Sequence, residues 1–224
     1  QVSANVEAGF SIVTYTGTGA NATVGHGLGK APGLILFKKR AGGTFGTGYS
    51  DWCCYHAYQN AAPASGATFL NLTIAFTASS LYFNNTVPST TVFSVGTSFY
   101  TGNASNDYVA YCFAEIPGFS KIFSYTGNGS LDGPVVNCGF KPKYVLIKRV
   151  DAASDWQIWD GVRLPYNEVY ADLKANLSNA EAGASFGDFI SSGLKVHNTS
   201  YNASGGTYIG IAFADVPGKY ALAR

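Results

Sequence analysis

The chain has 224 residues, of which only 12% are charged against roughly 25% in an ordinary soluble domain, while aromatics reach 15%. That mixture excludes disorder, which needs few aromatics and a high net charge. A net charge of +1, with only Lys38, Lys39 and Arg40 clustered, excludes the broad positive footprint of a nucleic-acid or anionic-membrane binder.

No apolar run approaches the ~18 residues needed to cross a bilayer, so no membrane insertion is expected. The start of the chain carries no signal-peptide pattern. The absence of Met and the opening Gln1-Val2-Ser3 point to a processed product or an excised fragment.

In chain order, Phe10 to Thr16 alternates in part and reads as a strand, broken by Gly17-Thr18-Gly19, where glycine supplies the backbone freedom of a tight turn. Gly25-His26-Gly27-Leu28-Gly29-Lys30 resembles a phosphate loop only superficially, because Ala31-Pro32 follows the lysine where a P-loop needs Ser or Thr and a helix. Leu34 to Phe37 is an apolar strand ending at Lys38. A Gly-rich loop containing Phe45 follows, and beyond it Tyr49, Asp51-Trp52, Cys53-Cys54 and Tyr55. Leu70 to Ile74 and Tyr108 to Ala114 read as further strands.

From Pro117-Gly118 onward the pattern begins again. Tyr125-Thr126-Gly127-Asn128-Gly129 repeats Tyr15-Thr16-Gly17-Thr18-Gly19, and at the same offset of 110 Gly139, Pro142, Leu146 and Lys148 meet Gly29, Pro32, Leu36 and Lys38. Asp155-Trp156 repeats Asp51-Trp52, and the stretch from Asn202 to Gly218 repeats that from Asn103 to Gly118 at offsets of 99 to 100. Tyr144 to Ile147 and Tyr208 to Ala214 are the corresponding strands. Tyr166 to Ala182 has Val169, Leu173 and Leu177 spaced by four, but Asn176 to Asn179 are poor helix formers, so strand or loop with at most one short helix is expected.

A repeat of this length exceeds a solenoid unit of roughly 20 to 50 residues and matches a small β-sandwich of about 100 residues. The expected architecture is therefore all-β: two tandem related β-sandwich units of jelly-roll or lectin-like kind, residues 1–118 and 119–224. A single domain whose pseudo-symmetric halves share one core is the alternative.

The chemistry on offer is sparse. Cys53, Cys54, Cys112 and Cys138 lack metal-ligand spacing and read as buried free thiols, with a Cys112 to Cys138 disulfide left open. His26, His56 and His197 are scattered, and Asp151 with Asp155 makes only two carboxylates, so no metal and no other cofactor is expected. Glu115 with Asp215, and Asp51 with Asp155, occupy equivalent places in the two halves. A glycosidase needs both acids in one cleft, whereas repeated residues serve the repeated fold, so the protein reads as a non-enzyme.

Aromatics carry the functional signal. Asp51-Trp52 with Tyr55 and Asp155-Trp156 with Trp159 form two Asp-Trp-x-x-aromatic segments, and sugar-binding surfaces combine such rings with Asp, Asn and Gly. A Trp repeated in both halves also suits a sandwich core. Trp159, followed by Asp160 and Arg163, faces Tyr55 and not Trp in the other copy. The candidate ligand-binding residues are Trp159, Asp160, Arg163, Trp52, Tyr55, Phe45 and Tyr49. The Asn-x-Ser/Thr sequons, such as Asn71 and Asn176, follow from a composition rich in Asn, Ser and Thr.

The stretches AGFSIVTYTGTG, VGHGLGKAP, YVAYCFAEIPGFSKIFSYTGNGS and IAFADVPGKYALAR together resemble a tandem-repeat module of unknown function found in tail-fibre-like and other virion structural proteins of marine tailed phages. The resemblance covers nearly the whole chain and implies a virion-surface, extracellular location among other virion proteins, with no catalytic residues to carry over. The leading expectation is a module that binds a host cell-surface glycan or receptor. A structural alternative is a capsid decoration or fibre-assembly unit that forms a homo-oligomer such as a trimer. A polysaccharide depolymerase is the third.

Overall fold

The computed structural model describes residues 1–41 and 50–215. These form an all-β protein, 45% strand and 3% helix, with two one-turn 3-10 segments at Pro63–Ser65 and Thr199–Tyr201. The described helices are too short to cross a membrane.

The first half supplies β1 (Val2–Asn5), β2 (Phe10–Thr16), β3 (Ala22–Gly25), β4 (Leu34–Ala41), β5 (Cys53–His56), β6 (Gly66–Phe69), β7 (Thr77–Ala78), β8 (Val92–Val95) and β9 (Asp107–Phe113). The second supplies β10 (Ser120–Thr126), β11 (Val135–Asn137), β12 (Pro142–Arg149), β13 (Trp156–Asp160), β14 (Val169–Lys174), β15 (Ala182–Ile190), β16 (Gly193–Val196) and β17 (Thr207–Ala214). The chain passes from one to the other through the turn at Pro117–Phe119, where Gly118 has φ 76°. All the pairings among these strands are antiparallel. One sheet runs β1-β2-β9-β4-β5-β6-β7, a second runs β10-β17-β12-β13-β14-β15-β16-β11, and β3 pairs with β8.

Three cores follow from this arrangement. The first lies between the seven-stranded sheet and the β3–β8 pair, filled by Val13, Ile35, Phe37, Tyr55 and Phe69 against Phe83, Phe93 and Val95. The second lies inside the eight-stranded sheet, which curls so that Phe186, Phe189, Leu194 and Val196 of β15 and β16 cover Val145, Ile147 and Trp159 of β12 and β13. The third is the seam between the two sheets, where Leu34 and Cys54 meet Ile122, Leu146, Val150, Trp156, Ile209 and Ile211. Burying side chains of this size contributes roughly 1.5–3 kcal/mol each.

Central strands covered on both faces lose the alternation of apolar and polar residues. Cys53–His56 and Gly66–Phe69 are buried at every position for this reason. The expected strands at Phe10, Leu34, Tyr108, Tyr144 and Tyr208 all form. The stretch from Tyr166 to Ala182 contains β14 and no helix. Leu70 to Ile74, expected as a strand, is turn and coil instead, because Asn71 leaves the ladder and turns its amide back onto Trp52.

The repeat extends to single hydrogen bonds. Tyr15 stacks on Tyr108 at 5.3 Å and Tyr125 on Tyr208 at 4.8 Å. Both outer hydroxyls donate to carbonyls, Tyr15 to Thr101 at 2.6 Å and Tyr125 to Tyr201 at 2.7 Å. The backbone N–H groups of Asn103 and Ala203 donate to the Tyr108 and Tyr208 hydroxyls at 3.1 and 3.0 Å. Ala203, and not Asn202, is therefore the counterpart of Asn103, a correction of one residue to the sequence alignment.

Strand β10 lies at the edge of its sheet, and the chain itself closes that edge. Glu115 Oε1 accepts the Ile122 N–H at 2.9 Å, its Oε2 pairs with Lys121 at 3.0 Å, and Ser120 bridges back to Ile116.

Candidate functional site

Within a strand, residues three apart point to opposite faces. The two Asp-Trp-x-x-aromatic segments obey this rule, so neither presents both of its rings to one ligand. Tyr55 points inward, 4% exposed, with its ring edge-on to Phe83 at 5.7 Å, and burial pushes its phenol up to about 12. Trp159 also points inward. It is 0% exposed, stacked on Phe186 at 4.3 Å and edge-on to Tyr201 at 4.8 Å. The expectation that Trp159 meets a ligand is corrected: the curled sheet closes over its ring and makes it core.

Asp160 and Arg163 stay near the surface but are spent on each other. Asp160 Oδ1 accepts the N–H groups of Val162 and Arg163 at 3.0 and 2.9 Å, and Oδ2 accepts Arg163 Nε at 2.5 Å. Arg163 also pairs with Glu181. Burial works against the Asp160 charge, yet the bonds from Arg163 prevail and hold its carboxyl below the usual range. The pair fastens the turn after β13. Phe45 and Tyr49 lie outside the described residues.

Trp52 is the exception, half-buried on the outer flank of the seam face. It stacks on Tyr111 with centroids 6.0 Å apart and carries Lys38 Nζ 5.3 Å above its ring. Tyr111 in turn lies parallel to Phe10 at 6.4 Å. Its counterpart Trp156 is 1% exposed and closes the seam.

The carboxylates weighed as catalytic pairs are each engaged by the scaffold, Glu115 at the edge of β10 as described above. Asp51 accepts Asn71 Nδ2 at 2.6 Å, and Asp155 accepts Asn176 Nδ2 at 2.7 Å and pairs with Lys174 at 3.1 Å. Asp215 pairs with Lys143 at 3.2 Å.

A cleft of about 680 Å³ opens where the two sheets meet, and it draws its walls from both halves: Tyr58, Asn60 and Phe76 on one side, Ser124, Asp151 and Thr207 on the other. Its floor is rigid. The buried His56 donates from Nε2 to the Gly210 carbonyl at 3.1 Å and accepts the Tyr58 N–H on Nδ1 at 3.1 Å, which fixes the neutral tautomer. Burial lowers the His56 pKa to about 4, so the imidazole stays uncharged at neutral pH. Tyr58 is thereby anchored by its backbone while its ring is 46% exposed.

Across the cleft, Arg149 grips Asp151 through Nε at 3.1 Å and Nη2 at 2.8 Å, and the Thr207 N–H donates to the same carboxylate at 2.8 Å. The Arg149 bond holds the Asp151 carboxyl below the usual range, and the guanidinium offsets its charge. The result is a cleft lined both by an exposed aromatic residue and by preset, electrically balanced hydrogen-bonding groups. Sequence reasoning missed this site. Asp151 was visible only as half of a weak acid pair, and nothing in the order of residues brings Tyr58 into one cleft with Asp151 and Thr207.

An all-β protein with a shared seam and a polar-aromatic cleft is the class that fold and site define. The chain belongs to the family described as Domain of unknown function (DUF7483), whose model matches residues 1–217, through both halves. No curated protein and no solved structure matches it.

Proposed function

We propose that the protein is a non-enzymatic recognition module on the surface of a phage virion, built as two related β-sandwich units of residues 1–118 and 119–224. It binds a glycan of the host cell surface in the cleft between them. The observation that carries this reading is that the anchored Tyr58 shares one cleft with Asp151, Asn60 and Thr207. An aromatic face packs against the apolar face of a sugar ring, and fixed polar groups then select its hydroxyls. A low-charge surface rich in Ser, Thr, Asn, Gly and Tyr suits adaptable hydrogen-bonded recognition. The engagement of Asp51, Asp155, Glu115 and Asp215 in the scaffold supports binding over hydrolysis.

Calorimetric titration with a panel of neutral and acidic envelope polysaccharides tests the reading. Saturable binding is expected, weakened about tenfold or more by Tyr58→Ala, a loss of at least ~1.4 kcal/mol, with the melting curve unchanged. Silence across the panel, or binding indifferent to both Tyr58→Ala and Asn60→Ala, overturns it. Release of reducing ends during the titration replaces it with a depolymerase.

A structural reading, in which the protein is an assembly unit of the particle, is favoured by the half-exposed face around Trp52.

A further inference from the structure

The seam joins the two halves through non-equivalent surfaces. From the second half come Ile122, Lys148, Trp156, Ile209 and Ile211, exposed by 2, 0, 1, 0 and 3%. Trp156 Nε1 donates to the Phe69 carbonyl at 2.7 Å and Lys148 Nζ to the Thr73 carbonyl at 2.8 Å. From the first half comes the receiving surface: Leu34, Cys54 and Leu70, with those two carbonyls.

Each of these surfaces has a copy in the other half. The strand registers make Ile12, Lys38, Val109 and Tyr111 the counterparts of Ile122, Lys148, Ile209 and Ile211, and Trp52 that of Trp156. This inserting surface of the first half stands largely open, with Ile12 38% exposed and Trp52, Tyr111 and Lys38 half-buried. The receiving surface is copied as well. Leu70 N donates to Trp52 O and Ala175 N to Trp156 O, so Ala175 answers to Leu70, Lys174 to Phe69 and Leu177 to Leu72. Leu72 N and Leu177 N bond back to Phe69 O and Lys174 O in the same way. Phe69 O accepts a second bond from Trp156, whereas around Lys174 O the chain is exposed, with Leu177 at 43%.

A contact that uses different patches on its two partners leaves one unused patch of each kind. The pair left over shares the anchoring groups of the seam, Trp52 for Trp156 and the Lys174 carbonyl for the Phe69 carbonyl. Tyr144 and Ile158, which answer to Leu34 and Cys54, pack partly against the seam itself and border the patch. We infer that the Trp52 face of one molecule docks onto the β13–β14 flank of a second copy of this chain, Trp52 Nε1 reaching Lys174 O as Trp156 Nε1 reaches Phe69 O, in a head-to-tail contact. The contact is independent of the cleft and of glycan binding. Repeated, it builds a ring if its rotation closes and a filament if it does not.

Sedimentation velocity over a concentration series, with Trp52→Glu, Leu177→Glu and their equimolar mixture, tests it. Wild type is expected to associate beyond a dimer. Each variant alone is expected to be monomeric with an unchanged far-UV spectrum and a cooperative melting curve, and the mixture to stop at a dimer, since each variant keeps the patch that the other lost. Tyr58→Ala is expected to associate like wild type. A wild type that stays monomeric, association that survives both charge substitutions, or a mixture that stays monomeric overturns the inference. If a variant loses its cooperative melting transition, the milder Trp52→Ala and Leu177→Ser are compared in its place against the same criteria.

Discussion

Asn71 holds Trp52 by its backbone: Asn71 Oδ1 accepts the Trp52 N–H at 2.8 Å while its Nδ2 donates to Asp51, and Asn176 repeats both bonds on Trp156 and Asp155. A side chain thus replaces a ladder partner at the mouth of β5 and of β13. Losing it leaves a partly buried N–H and a carboxylate short of a donor, which costs ~1–3 kcal/mol. Asn71→Ala and Asn176→Ala are each expected to lower unfolding stability by about that amount in urea titrations. An effect below ~0.5 kcal/mol in both would show that water replaces the amide.

Lys148 is a lysine placed in the seam with 0% exposure, donating to the carbonyls of Thr73 and Ser154. Burial lowers its pKa from 10.5 to about 8, with Asp155 opposing the shift. Below pH 8 the lysine is charged in both the folded and the unfolded chain, and its desolvation cost is fully present. Between pH 8 and 10.5 the unfolded chain holds the proton that the folded one has released, so this group's contribution to stability rises with pH. Lys148→Met lacks that rise. From pH 7 to pH 10 the stability difference between wild type and Lys148→Met is therefore expected to move in favour of wild type by about 2–3 kcal/mol. A pH-independent difference refutes the assignment.

The cysteines are free and buried. Burial pushes Cys54 and Cys112 up to about 12 and Cys138 to about 11, and Cys53 well above the usual thiol value, so the thiolate is scarce at all four. An aromatic disulfide reagent at pH 8 is expected to leave the native protein untouched on the minute scale and to titrate four thiols in urea. Cys138, 7% exposed, is expected to yield first on partial unfolding. Fast native labelling of Cys53 or Cys54 would contradict the described packing of β5.

Much of the scaffold is legible in the order of residues because it is written twice. The Tyr-Thr-Gly-x-Gly turns, the paired tyrosines and the closing strands recur at fixed offsets, and the structure sets the same bonds in both copies. The partners of Trp52 and Trp156 are barely legible: Asn71-Leu72-Thr73 and Asn176-Leu177-Ser178 match, but each reads as one sequon among several in a chain rich in Asn, Ser and Thr. The interior place of Trp159 was half-legible: its spacing of three from Trp156 puts the two rings on opposite faces. Which face is covered depends on how far the second sheet curls. Strands apolar on both sides carry no alternation to announce it. Tyr58 owes its position to His56 and to a carbonyl on the far sheet, a relationship only the assembled seam creates.

The carboxylate of Glu115 on the free N–H of Ile122 gives the eight-stranded sheet an ending made of charge. An incoming strand would have to expel that carboxylate and strip its water before it could pair, a deterrent of the kind that keeps β-rich proteins from fusing edge to edge. Because Glu115 precedes the strand that it guards, the guard is already translated when β10 emerges. This edge of the second sheet therefore carries its guard from synthesis onward, when the chain is most vulnerable to its neighbours.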